Sequence, residues 1–382
     1  MLKYFAVLTL QLAVLFSYAQ PQDSGEIPFT MVKNTIILEL SIEGNPHRFL
    51  LDTGGGFMIS EELAQRYGFP VQSSIEVGDV NRQELQLNRV NVPEIALGEW
   101  TFRNRLAVVY PGWGDFPNSC FALDGMIGRD FFTGAILHFD YQAGILRLTQ
   151  DASVVSLVEA DATPLRINER GLPEALIRIN GAGKFILFDS GSGDLYSPKT
   201  SKAKRLPQEL HLTFEGIFSF GLSKGKIKSS ERYATLVDEL IVGGGQFNNF
   251  HSQFSKLTSA RLGAALLYYG QVTLDYGNQK FYFSPYTDAP EPQRLQSFGV
   301  GFTSLDGRYI VKWVLEDSPA EKAGVRFGQT VLQINDLSLE TNQGNCNYYL
   351  NGFGLEEVEE LRLRVINRRG QEEEILLKKE GY

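Results

Sequence analysis

Between residues 25 and 287 the chain is built from short apolar-rich runs, most of which place alternate residues on one face. Thr35–Ile42, Arg48–Leu51, Ile136–Asp140, Leu146–Thr149, Ala175–Ile179 and Phe281–Ser284 carry this pattern, which predicts half-buried or buried strands. Sustained helical periodicity is scarce. Two short helices are expected: one over Glu61–Tyr67 with Ser60 as its N-cap and Glu61 and Glu62 in its first turn, and one over Arg129–Phe132 after Gly128; a hydroxyl before the first turn and acids within it suit a helix N-terminus. The strand pattern divides into two stretches, 25–150 and 160–287. It breaks at Asp288–Gln293, where Pro290 and Pro292 favour an extended connector. A third region, 297–380, follows.

The first two stretches repeat one another. Phe49-Leu50-Leu51-Asp52-Thr53-Gly54 returns as Ile186-Leu187-Phe188-Asp189-Ser190-Gly191. Ile42-Glu43-Gly44-Asn45 and Ile179-Asn180-Gly181-Ala182 precede their aspartates by the same distance, and each reads as a turn between two strands. Ile95–Phe102 matches Leu240–Phe247. Met126-Ile127-Gly128 matches Arg261-Leu262-Gly263, and each of those glycines stands equally far before an Asp-Tyr pair, Asp140-Tyr141 or Asp275-Tyr276. One Asp-Ser-Gly alone reads as a strand-ending turn. Matched landmarks in one order mark an internal duplication.

Composition bounds the chemistry. With 382 residues the chain exceeds what one core usually serves, and 43% apolar with 21% charged residues is the balance of a globular protein. A net charge of −9 argues against a nucleic-acid partner; the basic stretches Lys202, Lys204-Arg205, Lys224, Lys226 and Lys228 read as solvated loops. Residues 1–19 hold Lys3, an apolar run from Tyr4 to Phe16 and a terminal Ser17-Tyr18-Ala19. That is the layout of a signal peptide, so export to a periplasm, cell envelope or extracellular space is expected. No transmembrane segment is expected after cleavage. Cys120 and Cys346 fall in different predicted domains, and free thiols are expected rather than a bridge. His47, His138, His211 and His251 share no ligand spacing, so neither a metal nor a cofactor is anticipated. Gly191-Ser192-Gly193 lacks the spacing of a hydrolase nucleophile elbow, and the glycine runs lack a nucleotide-binding context.

Two carboxylates brought close together cannot both ionise cheaply, so they share a proton. The ionised partner can then take a proton from a bound water while the protonated one donates to a carbonyl oxygen. On Asp52-Thr53-Gly54, Asp189-Ser190-Gly191 and the segments ending at Gly128 and Gly263, residues 30–287 resemble the aspartic peptidases of the pepsin and retropepsin type. The resemblance implies a mainly β, bilobal double β-barrel of two homologous halves, with Asp52 and Asp189 as the catalytic dyad. Thr53, Gly54, Ser190 and Gly191 would support the catalytic loops, and the substrate would be a peptide or protein. Hairpins at Ile75–Gln83 and Phe214–Lys226 are candidate flaps. Two departures stand out. Gly55 occupies a place where the family usually has Ala, Ser or Thr, leaving only its N–H to serve the outer carboxylate oxygen, and Arg261 replaces an apolar residue, where proximity would depress a carboxylate pKa.

In the third region, Gly299-Val300-Gly301-Phe302 and Ser318-Pro319-Ala320-Glu321-Lys322-Ala323-Gly324 together resemble a PDZ domain, of the kind fused to exported bacterial peptidases. The resemblance implies a β-sandwich in which the backbone of Gly299, Val300, Gly301 and Phe302 captures a peptide C-terminus, with Thr303 and Ser304 continuing the edge. The chain's own Lys379–Tyr382 is one candidate ligand, for the groove of a neighbouring copy. The function expected is an exported aspartic endopeptidase. The alternative is an exported peptide-binding scaffold whose peptidase halves have lost catalysis.

Overall fold

The computed structural model describes residues 25–78, 84–116, 118–199, 211–217, 230–254, 259–305, 307–339 and 345–382. It is mainly β, and most strands follow the alternation of the sequence. Thr35–Ile42 and Ile136–Asp140 form as expected, and Arg48–Leu51 lies within a longer strand, Asn45–Asp52. Ser60 caps the helix Glu61–Arg66 by accepting the Leu63 N–H, while Arg129–Phe131 forms a single 3-10 turn.

The duplicated sequence segments make the same pairings. Thr35–Ile42 and Asn45–Asp52 are antiparallel, joined by Glu43-Gly44 with φ of 49° and 80°. Pro173–Ile179 and Ala182–Asp189 repeat this through Asn180-Gly181, with φ of 46° and 77°. Two positive φ values in a row match the right-handed twist of a hairpin, which is why Gly and Asn stand there. Each aspartate strand then runs parallel to the strand ending in the second matched glycine: Asp52 opposite Gly128, and Asp189 opposite Gly263.

Equivalent strands of the two repeats meet in one sheet. Ile136–Asp140 pairs with Gly270–Asp275, Ile145–Thr149 and Lys280–Pro285 flank them, and Glu26–Pro28 and Ala162–Pro164 lie outermost. Phe139, Phe188 and Phe281, all fully buried, connect this sheet to the Asp189 strand through edge and tilted ring contacts. One apolar cluster runs through both repeats and fixes the two aspartate loops relative to each other.

Residues 298–377 hold a separate core around Phe298, Val311, Val325, Leu361 and Leu363. Val300–Leu305 pairs with Arg308–Leu315; Val331–Ile334, Leu337–Ser338, Glu360–Ile366 and Glu372–Lys378 form a four-stranded sheet. Ser318 caps the helix Pro319–Lys322, and a second helix spans Asn345–Asn351. The Arg308–Leu315 strand also pairs with Phe214–Gly216 of the second repeat. This places the described part of the Phe214–Lys226 hairpin in a sheet with the third region.

Two expectations are overturned. Cys120 and Cys346 form a disulfide, with Cα atoms 4.9 Å apart, because the helix Asn345–Asn351 packs on the Asn118–Phe121 turn of the first repeat. The distance in sequence concealed a contact between regions that the sequence pattern cannot display. The C-terminal residues pair within their own chain: Gln296 and Ser297 with Gly381 and Glu380, and the Tyr382 N–H with the Leu295 carbonyl. The leader 1–19, the flap residues 79–83 and 218–226, and the basic runs Lys202–Arg205 and Lys224–Lys228 lie outside the described residues. Among the described residues, no helix is long and apolar enough to cross a membrane.

Candidate functional site

Both aspartates sit where a buried strand enters its loop. Thr53 and Ser190, just after them, are fully buried, exchange two hydrogen bonds and donate two more to the opposite strands. The Thr53 N–H donates to Ser190 Oγ at 2.9 Å, and the Ser190 N–H donates to Thr53 Oγ1 at 3.0 Å. Each hydroxyl in turn donates to the opposite strand, Thr53 Oγ1 to the Phe188 carbonyl at 2.8 Å and Ser190 Oγ to the Leu51 carbonyl at 2.9 Å. Only a hydroxyl both accepts and donates in so little space. Without it, two buried backbone groups would lose their partners, so the loops hold one another in register.

The glycines are needed for room. Gly54 and Gly191 lie in tight turns, closed by the Gly55 N–H on the Asp52 carbonyl and the Ser192 N–H on the Asp189 carbonyl, and neither needs a positive φ. A Cβ on Gly54 would stand 2.6 Å from Asp189 Oδ1, and one on Gly191 would stand 2.5 Å from Asp52 Oδ2. Each glycine admits the carboxylate of the other half. Their N–H groups also serve the near carboxylates: Gly54 donates to Asp52 Oδ1 at 2.8 Å and Gly191 to Asp189 Oδ1 at 3.2 Å. Gly128 and Gly263 buttress the loops from behind, since a side chain on either would strike the backbone around Gly55 or Ser192.

The carboxyls of Asp52 and Asp189 stand together, each against the glycine of the opposite loop, close enough to share a hydrogen bond. Burial, then the Asp189 charge and the shared bond, hold the Asp52 pKa well above the ordinary carboxylate value; the Gly54 N–H and Arg261 act weakly the other way. Arg261 is not at the surface. Its guanidinium forms an ion pair with Asp189 Oδ2, the oxygen turned away from Gly191, and its side chain is only 19% exposed. The strand register explains the reach: Arg261 lies opposite Leu187, two residues before Asp189.

The first half is finished differently. Met126 takes the place of Arg261, opposite Leu50. A Cβ on Gly55 would lie 2.8 Å from Asp52 Oδ2 and 2.9 Å from Met126 Cε, so glycine is what fits. The Gly55 N–H bonds the Asp52 carbonyl at 3.0 Å rather than the outer carboxylate oxygen, correcting the expectation from sequence. Asp52 therefore has a thioether beside its outer oxygen, where Asp189 has a guanidinium.

A family model described as aspartyl protease matches residues 38–131. The match covers the Asp52 loop and its Gly128 buttress, and it supports a protease-type enzyme with a peptide substrate. The second aspartate lies beyond the matched stretch. Among curated proteins, none matches the chain.

Gly299, Val300, Gly301 and Phe302 belong to the third region, whose core is separate from the one around the aspartate loops. Val300, Gly301 and Phe302 begin the Val300–Leu305 strand and border a cavity of about 350 Å³ facing the helix Asn345–Asn351, while Gly299 precedes the strand and is not part of the cavity wall. Sequence reasoning missed Lys33 and Lys312 on the same cavity. Lys33, in the turn between the first two strands, donates to the Tyr349 carbonyl and stands 4.0 Å from the centre of that ring. Its neighbour Asn34 donates to the Gly193 carbonyl at 2.7 Å, beside the Asp189 loop. Neither residue carries a motif, and only the packing of separate regions reveals them.

Proposed function

We propose that the chain is an exported aspartic endopeptidase of two lobes, in which Asp52 and Asp189 activate one water, with a PDZ domain at residues 297–380 that engages peptide or protein C-termini. One observation carries this reading: two carboxyls from duplicated, interlocked loops stand together, each against the glycine of the opposite loop, and burial beside Asp189 favours the protonated form of Asp52. In the proposed reaction Asp189 takes a proton from the water as its oxygen attacks the scissile carbonyl carbon, and Asp52 gives its proton to the carbonyl oxygen. Collapse of the resulting gem-diol breaks the C–N bond as the amine nitrogen receives a proton from Asp189. Asp52 regains a proton from the diol hydroxyl. General acid and general base thus come from one residue type, and the proton count closes over the cycle.

The Arg261 ion pair supports this division of labour, because a neighbouring cation stabilises the ionised carboxylate and leaves the proton to its partner. The same pair favours a second reading. The Arg261 guanidinium and the Gly191 N–H each occupy an oxygen of Asp189, and a chain finished this way could serve as a peptide-binding scaffold. Cleavage of a peptide library from acidic to neutral pH by the wild type, Asp52→Ala and Asp189→Ala decides between them. The enzyme reading expects the wild type to cleave and both variants to lose about 10²–10⁴-fold. Equal turnover in all three would remove the dyad.

A further inference from the structure

The cavity beside Val300–Leu305 is walled by two regions. On one side is that strand, whose outer edge pairs with no other strand among the described residues; on the other is the helix Asn345–Asn351. The helix is fastened to the first repeat by the Cys120–Cys346 disulfide and by Tyr349, whose ring meets Phe116 and Phe121 with centroids 5.2 and 6.0 Å away. Lys33 and Phe116 thus close one end of a groove that the third region alone would leave open.

Two cations face this groove. Lys312 lies at the bulge opposite Gly301 and Phe302, half-buried; Lys33 reaches in from the first repeat. Among the described residues, neither forms an ion pair with a carboxylate. Burial, then repulsion from Lys33 and Arg232, pushes the Lys312 pKa down to about 8. Glu356 and Glu357 also border the cavity and, like Lys33, are exposed and screened by solvent, so Lys312 is the least screened of these charges. Lys33 is exposed, with its ammonium over the Tyr349 ring; Lys312, half-buried and with no carboxylate partner among the described residues, is a cation that an anion arriving with a ligand would stabilise. An apolar floor and a free strand edge suit an extended peptide; Phe302, Trp313 and Tyr348 supply that floor.

We infer that the groove is a composite site for the C-terminus of an acidic peptide: the terminal carboxylate meets the backbone of Val300–Phe302, and a neighbouring Asp or Glu side chain lies between Lys33 and Lys312. The inference rests on the groove reading of residues 297–380 and adds to it the ligand's chemistry and a contribution from the peptidase half. Selection for acid comes from the junction of the two regions, so the docked arrangement is part of the site.

Fluorescence anisotropy on the full chain carrying Asp52→Asn, to prevent cleavage of the probe, tests this with three labelled short peptides. One ends in a free carboxylate with Glu at the penultimate position, one has Gln there, and one is the Glu peptide amidated. The Glu peptide is expected to bind about tenfold more tightly than the Gln peptide, as for one hydrogen bond to a charged group. Lys33→Met and Lys312→Met should each narrow that gap, with an unchanged circular dichroism spectrum and melting temperature showing that the variant folds. Equal affinity for Glu and Gln peptides, with the amidated one rejected, overturns the inference and leaves the groove reading standing. Failure of all three to bind overturns both.

Discussion

Around Asp52, the space over Gly55 is bounded by Met126, and the carboxylate has a thioether for its neighbour. Around Asp189, the corresponding register position supplies Arg261 and an ion pair. Everything deeper in the two loops is shared: the strand pairings, the crossed hydroxyls, the glycines that admit the opposite carboxylate. Duplication thus supplies a symmetric frame, and one residue pair outside that frame breaks the equivalence of the two carboxyls. In a strictly symmetric pair the shared proton would have no preferred owner. A cation on one side gives it one.

The frame itself is the first place to test this comparison. Thr53→Val and Ser190→Ala each leave a buried N–H and a buried carbonyl without their partners, so each should cost about 2–4 kcal/mol in urea unfolding. Similar values are expected from the two halves. A negligible loss for one of them would show that the crossed bonds support only one loop.

Exchange of the asymmetric pair comes next. Arg261→Met removes the cation, Asp52 then holds its proton more tightly, and the bell of kcat/KM against pH should move to higher pH, changing activity on its flanks by about tenfold. Met126→Arg should move it the other way. A profile that stays in place in both variants would mean that Arg261 has no electrical influence on the pair.

The smallest effect concerns stability. Asp52 keeps its proton in the folded chain above the pH at which the unfolded chain releases it, so the folded state binds more protons there. Stability from this group therefore falls as pH rises from about 3.8 towards the raised folded value. Asp52→Asn has no such proton to lose. Its melting temperature relative to the wild type should climb between pH 4 and pH 7; a constant difference would contradict a raised Asp52.

The repeats were legible because their landmarks are local and keep register, and the strands around Asp52 and Asp189 form where the apolar pattern puts them. Arg261 was visible as a departure, but its direction was not, since that depends on the parallel register with Leu187. The disulfide was misread for a related reason. Cys120 and Cys346 meet only once the third region has docked, and nothing in either local sequence announces the partner. Lys33 and Lys312 share that limitation: each is an ordinary lysine until a groove is assembled from distant segments.

The ownership of the shared proton can be measured at the carboxyl carbons themselves. Protein labelled with ¹³C at the aspartate side-chain carboxyl, with Asp52 assigned by its loss in Asp52→Asn, gives a titration curve by NMR. The account predicts that Asp52 titrates well above 3.8, burial and Asp189 outweighing the Gly54 N–H and Arg261, and that Arg261→Met raises it further. Titration of Asp52 at or below 3.8 would contradict a proton shared across the two loops.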